Sequence, residues 1–192
     1  MRRIAWVAAG LAIVAAVAVG LSQAGGSGSP SAGAPPSSRA TVAALAGSPG
    51  PLAALHADAG RLLSGGPSAF ESRLAALRGY PVVVNKWASW CGPCRVEFSY
   101  FERLSVALGR KVAFVGVDSS DNSKSAAAFL KQHPVAYPSY SDPDLRVASV
   151  FSGIEAFPTT AFYDARGQLQ YIHQGEYLSE AKLRTDIARY AG

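Results

Sequence analysis

Cysteine is scarce in this chain: 192 residues hold two, Cys91 and Cys94, alongside one methionine and three histidines. So few cysteines exclude the disulfide framework of a small secreted scaffold. A bridge between positions this close would restrict the unfolded chain little, because that stabilisation grows with loop length, so the pair is a poor structural staple. A zinc centre wants about four ligands, usually from a second Cys pair or a His pair. His56, His133 and His173 are scattered, and no metal site is expected. Charge is sparse as well. Asp, Glu, Lys and Arg make up 16% of the residues, and the formal net charge is +5, with Arg2 and Arg3 at the extreme N-terminus. No Lys/Arg run marks a nucleic-acid face, which argues against nucleic acid as a partner.

Long apolar runs are missing too, with one exception. Arg2 and Arg3 precede an uncharged apolar stretch from Ile4 to Leu21, and a Gly/Ser/Pro/Ala tract follows over residues 25–51. Such a stretch stands between a signal-peptide core and a membrane-spanning helix. A tether of that composition gives it nothing to pack against. Residues 1–24 are therefore read as a signal-anchor, with a cleaved signal peptide ending at Ser22-Gln23-Ala24 as the alternative. No cysteine follows the run, so a lipoprotein anchor is excluded. Positive charge on the N-terminal flank puts that end in the cytoplasm and the rest outside. The expectation is a single-pass protein of the cytoplasmic membrane with its domain on the extracytoplasmic side, or a secreted one if the signal is cleaved. Residues 25–51 are expected to be a flexible linker and residues 52–192 the folded domain.

From residue 52 the pattern turns globular. PLAALHADAGRLL and SAFESRLAALRG place apolar residues at helical spacing, broken at Ser64-Gly65-Gly66-Pro67. Residues 81–87, PVVVNKW, read as a central strand buried on both faces. A helix from Arg95 to Leu108 carries Val96, Phe101, Leu104 and Leu108 on one stripe, closed by Gly109. A second buried strand runs from Lys111 to Asp118, and a helix from Ser123 to Gln132 is capped near Asp121 or Asn122. Tyr137 to Tyr140 reads as an edge strand, Asp142-Pro143 as the opening of a helix to Phe151, and Thr159–Tyr163 with Leu169–His173 as a hairpin. Ser179 opens a last helix with Leu183, Ile187 and Tyr190 on one face. Strands alternating with helices and ending in a hairpin predict an α/β architecture with helices on both faces of a central sheet.

Cys91 and Cys94 fall where the first buried strand ends and a helix begins. Unpaired backbone N–H groups and the positive end of the helix dipole favour a thiolate there. That lowers the pKa of the first thiol and makes Cys91 the nucleophile. Cys94, one turn inside the helix, is shielded and placed to attack a mixed disulfide formed on Cys91. Pro93 near the helix start needs no N–H partner, and Gly92 keeps the approach to Cys91 open. Trp90 reads as an exposed lip residue and Trp87 as core. The chemistry left to the pair is thiol–disulfide exchange.

Trp90-Cys91-Gly92-Pro93-Cys94 matches the active-site motif of thioredoxin. With Pro81-Val82-Val83-Val84-Asn85 before it, Arg95-Val96-Glu97-Phe98 after it and Phe157-Pro158-Thr159-Thr160 further on, the chain resembles the TlpA/ResA/CcmG family of membrane-anchored extracytoplasmic thiol-disulfide oxidoreductases. The resemblance spans roughly residues 68 to 190. It implies a thioredoxin-like fold, a central mixed sheet flanked by helices, with the segment 119–156 as an extra β/α element. It implies a Cys91–Cys94 redox disulfide in which Cys91 attacks and Cys94 resolves. Phe157-Pro158 would form a cis-proline loop where a substrate backbone docks beside Cys91. Glu97 would exchange a proton with Cys94, against the plainer reading of a solvated residue in a first helical turn. Two positions depart from the pattern. Asn85 stands where cytosolic thioredoxins carry a buried acid, and Ser99 where these proteins carry a kinking proline. The resemblance also implies reduction of protein disulfides in cytochrome c-type biogenesis, protein thiol/disulfide substrates, a membrane electron donor of the CcdA/DsbD kind, and no cofactor. The alternatives carried with it are an oxidising or isomerising exchange protein, a peroxiredoxin-like peroxidase, and a tethered binding module.

Overall fold

Strand β2 (Val82–Trp87) is buried at every position, and the rest of the sheet is laid out around it. In the computed structural model, which describes residues 38–191, β2 pairs in parallel with β3 (Ala113–Ser119) and antiparallel with β5 (Thr159–Tyr163). Outward from β3 come β4 (Ser139–Asp142) and β1 (Leu62–Leu63), both parallel, and outward from β5 comes β6 (Leu169–Gln174), antiparallel. The order is β1-β4-β3-β2-β5-β6, a mixed sheet of the kind expected.

Side chains alternate across a strand, so β2 feeds two cores. Val83 and Trp87 meet α4 (Gly92–Leu108), α5 (Ser123–Gln132) and α7 (Glu180–Tyr190) through Phe98, Phe101, Phe129, Leu183 and Ile187. Val82 and Val84 meet α2 (Gly50–His56), α3 (Gly66–Ala76) and α6 (Arg146–Val150) through Leu52, Leu55, Phe70 and Val147. Each fully buried aliphatic or aromatic side chain contributes roughly 1.5–3 kcal/mol over leaving it exposed. At the centre, β3 passes under the hydrogen bond from Trp87 Nε1 to Ser139 Oγ at 3.1 Å. A Cβ at Gly116 would come within 2.0 Å of that oxygen, so only glycine fits.

Several expected boundaries hold. Asn122 caps α5 by accepting from Lys124 N and Ser125 N, and Ser179 caps α7 by accepting from Lys182 N. The hairpin closes through Gly167 at φ 79, a backbone angle that suits glycine.

Others move. The tract read as linker is helical from Ser38: α1 (Ser38–Leu45) and the start of α2 lie inside it. Buried Leu45 and Leu52 tie it to the domain, and Ala40, Ala43 and Ala44 within α1 favour helix. The helical pattern over PLAALHADAGRLL stops at His56, because Gly60 takes φ 69 and Leu62–Leu63 leaves to pair with Ser139–Tyr140. That pairing also means β4 is not an edge strand. The helix after Asp142-Pro143 begins only at Arg146, since Leu145 adopts a left-handed φ of 60. Val96 is 58% exposed and lies off the buried stripe of α4, which runs instead through Cys94, Glu97, Phe98, Phe101 and Leu104. The expected anchor lies outside the described residues, and among the described residues no helix is long and apolar enough to cross a membrane.

Candidate active site

The loop leaving β2 ends at Cys91, whose extended backbone makes it the N-cap of α4. Its Sγ accepts the Cys94 N–H at 3.2 Å, so one otherwise unpaired amide at the helix start points at the sulfur. Cys91 and Cys94 are joined as a disulfide. Both are recessed, at 3% and 1% exposure, so the expected contrast between an open and a shielded cysteine is absent in this oxidised form. The open side is at Gly92, where an added Cβ would meet no heavy atom within 4 Å. Pro93 lies in the first turn of α4, where its missing N–H leaves no helical bond unmade.

The approach loop is held by polar contacts. Ser89 N donates to Asp121 Oδ2 at 2.5 Å, Arg95 donates to Ser89 O at 3.2 Å, and Trp90 Nε1 donates to Ser120 O at 2.9 Å. Trp90 is the exposed lip, at 58%, and its ring lies 5.1 Å from that of Phe157. Phe157 packs against the core cluster that contains both cysteines, and the Phe157–Pro158 peptide is cis. Pro158 O accepts from Gly175 N at 2.9 Å, and Thr159 Oγ1 donates to Ala156 O at 2.7 Å, which fixes the loop on either side.

Glu97 follows Cys94 by one turn on the same helical face. It is not solvated: its exposure is 0%. Asn85 Nδ2 donates to Oε1 at 3.0 Å and Tyr177 N donates to Oε2 at 2.8 Å. Burial pushes the carboxyl up to about 8; the bonds from Tyr177 and Asn85 oppose the shift, and the Glu176 charge adds to it. A carboxyl titrating there can take up or release a proton near neutral pH. The helix that starts at the disulfide thus also carries a buried carboxyl, with Asn85 of β2 as its partner.

Lys86, the next residue of β2, points to the opposite face and is also 0% exposed. Its Nζ donates to Gly153 O and lies 3.8 Å from the centre of the Phe157 ring. Burial pulls its pKa down to about 8, against the Asp142 charge. Asp118, at the end of β3, is pushed up to about 8 by burial first and then by Asp121 and Asp142.

The structure therefore brings Cys91, Cys94, Trp90 and Phe157 together, with Gly92 and Pro93 between the two cysteines in the chain, joins Asn85 to Glu97, and places Pro158 directly after Phe157. Sequence reasoning missed Lys86, Tyr177 and Asp121. A lysine inside a strand read as buried on both faces was the available signal for the first. Nothing in the sequence marks Tyr177, which serves Glu97 through its backbone, and Asp121 carries only a helix-cap signal, not its bond to the loop at Ser89.

Known proteins resemble this chain to different degrees. The Redoxin family profile matches residues 53–187. Thioredoxin-like protein YneN of Bacillus subtilis (strain 168) is 32% identical over 108 residues, covering 55% of this chain and 62% of that protein. Thiol:disulfide interchange protein DsbE of Escherichia coli (strain K12) is 34% identical over 112 residues, covering 57% and 58%. The chain spans about three fifths of the length of these curated relatives. Among solved structures, a DsbF homologue from Corynebacterium diphtheriae superposes with a TM-score of 0.56 at 31% identity, covering 60% of this chain and 75% of that one. The fold is thioredoxin-like, a mixed sheet flanked by helices.

Proposed function

The chain belongs to the Redoxin family, and from that premise we propose that it is an extracytoplasmic thiol-disulfide oxidoreductase that reduces protein disulfides through Cys91 and Cys94. The observation that carries the reading is the Cys91–Cys94 disulfide at the N-terminus of α4, with the buried carboxyl of Glu97 one turn behind it. Both similar curated proteins named above are thioredoxin-like or thiol:disulfide interchange proteins by name.

In the dithiol form, the helix N-terminus and the Cys94 N–H favour ionisation of Cys91. The Cys91 thiolate attacks one sulfur of a substrate disulfide, forming a mixed disulfide and releasing the other substrate sulfur as a thiolate, which takes a proton from water. Cys94 then gives its proton to the Glu97 carboxylate and attacks Cys91 Sγ. The bond between Cys91 and substrate breaks, and the second substrate sulfur leaves with the electron pair and takes a proton from water. The substrate ends as a dithiol, two electrons richer, and the chain ends as the disulfide described above. Trp90, Phe157 and Pro158 form the edge on which the substrate backbone docks, while Gly92 leaves Cys91 approachable and Pro93 starts the helix without an unmet bond. Asn85 orients Glu97.

Each turnover consumes two electrons, which this reading draws from a membrane thiol donor of the CcdA/DsbD kind. Residues 1–24 would hold the domain at the outer face of the cytoplasmic membrane as a signal-anchor, and apocytochrome c awaiting haem attachment is the substrate class the TlpA/ResA/CcmG resemblance favours. The test is reduction of insulin disulfides by the dithiol form: the wild type turns over and Cys91→Ser loses all activity. A potential near that of thioredoxin, about −270 mV, fits a reductant, and one above about −150 mV overturns that direction.

A further inference from the structure

Strand β2 is apolar except for Asn85 and Lys86 next to its C-terminal end, and these two leave on opposite faces. Asn85 turns to Glu97. Lys86 turns to the other face, where the exchange chemistry has no use for it. An ammonium buried in a core is costly unless its partners are held in place for it.

Both groups that Lys86 Nζ contacts belong to one short segment, and the Asp142 charge that also acts on it lies where that segment starts. Gly153, whose carbonyl accepts from Nζ, follows α6, and Phe157, whose ring lies under the ammonium, opens the cis peptide with Pro158. The start of that segment is fixed separately. Asp142, ending β4, accepts from Val147 N at 2.8 Å, Ala148 N at 2.9 Å and Ser119 Oγ at 2.8 Å, and Gly153 N donates to Ala148 O at 2.8 Å. At its other end, the Phe157 ring meets Trp90, the residue before Cys91. One cation thus joins the strand that leads to the disulfide and the loop on which a substrate would lie.

We infer that Lys86 is a positioning residue for protein substrates: it pins the 153–158 segment to β2, so that Phe157 and Pro158 present a fixed docking edge beside Cys91. The inference rests on the exchange reading above and adds a residue that acts through Phe157 and not on the sulfurs. Removing the cation loosens the Phe157 side of that edge, which weakens docking and leaves the chemistry of the bound state alone.

The experiment is steady-state reduction of insulin by the full chain. Lys86→Met raises KM about thirtyfold, the size of one desolvated cation–π contact, with kcat within about twofold. Lys86→Arg, which restores a cation, recovers most of the affinity. The equilibrium of the Cys91–Cys94 pair with glutathione shifts by less than about twofold in both variants, since the sulfurs keep their surroundings. A KM unchanged in Lys86→Met overturns the inference, and so does a glutathione equilibrium that moves as far as KM does. If Lys86→Met does not fold, Lys86→Gln carries the same comparison, because it can still reach the Gly153 carbonyl but brings no cation to the ring. A wild type that equilibrates with glutathione and leaves insulin untouched overturns the reading beneath the inference.

Discussion

Glu97 behaves unlike an ordinary glutamate in a first helical turn, because the α4 face it occupies is closed by Asn85 and by the backbone of Tyr177. The folded state holds its carboxyl up to about 8, above the ordinary 4.5. The folded protein therefore keeps a proton that the unfolded chain releases. That contribution to stability is complete below about 4.5 and is lost as pH rises through about 8. Asp118 acts in the same direction over the same window, so the wild type alone does not isolate Glu97. Glu97→Gln does, being a neutral group of similar shape. In urea unfolding at pH 5 and pH 9, the wild type is expected to lose on the order of a few kcal/mol more than the variant. Equal losses would show that Glu97 ionises as freely in the folded protein as in the unfolded chain. At this scale the sequence was informative where the chemistry is local. Two thiols, a glycine and a proline in four consecutive residues declare themselves. The burial of Glu97 does not, since it depends on an amide 80 positions away in the chain.

Among the elements, the segment from β4 through α6 to Pro158 has the most consequence for the site. Its anchor is Asp142, which takes two amide donors at the start of α6 and the Ser119 hydroxyl. Asp142→Ala leaves these three buried donors without a partner and is expected to cost about 2–4 kcal/mol. Urea unfolding measures the loss, and faster hydrogen exchange at Val147 and Ala148 locates it. A loss below about 0.5 kcal/mol, at the level of a neutral surface change, would contradict the role given to the cap. Elements with a local signal were legible from sequence: β2 from its β-branched run, α5 from the Asn122 cap, and the hairpin from Asp164 to Gly167. Strand β1 was not, because Leu62–Leu63 is a strand only through its pairing with Ser139–Tyr140, and the leucines there continue a helical spacing. Helix α1 was hidden by composition, since Gly, Ser and Pro throughout 25–51 mask the short SRATVAAL stretch that ends in buried Leu45.

At the scale of the whole described domain, the sheet divides two tasks between its faces. One face carries α4 with the disulfide and Glu97, and the other carries α6 and the segment that leads to Phe157. The two meet at the C-terminal end of β2, where Asn85 and Lys86 diverge and the chain enters the Cys91 loop. A substrate docked on Phe157 and Pro158 would lie over Cys91 while Cys94 waits beneath. The measurement that tests this division of labour most directly is capture of the mixed disulfide. Cys94→Ser, reduced and then mixed with insulin, is expected to accumulate a covalent adduct through Cys91, seen by intact-mass spectrometry and removed by dithiothreitol. Cys91→Ser under the same conditions is expected to form none. An adduct that forms on Cys94 in Cys91→Ser as readily as on Cys91 in Cys94→Ser, or none in either variant, would contradict the account.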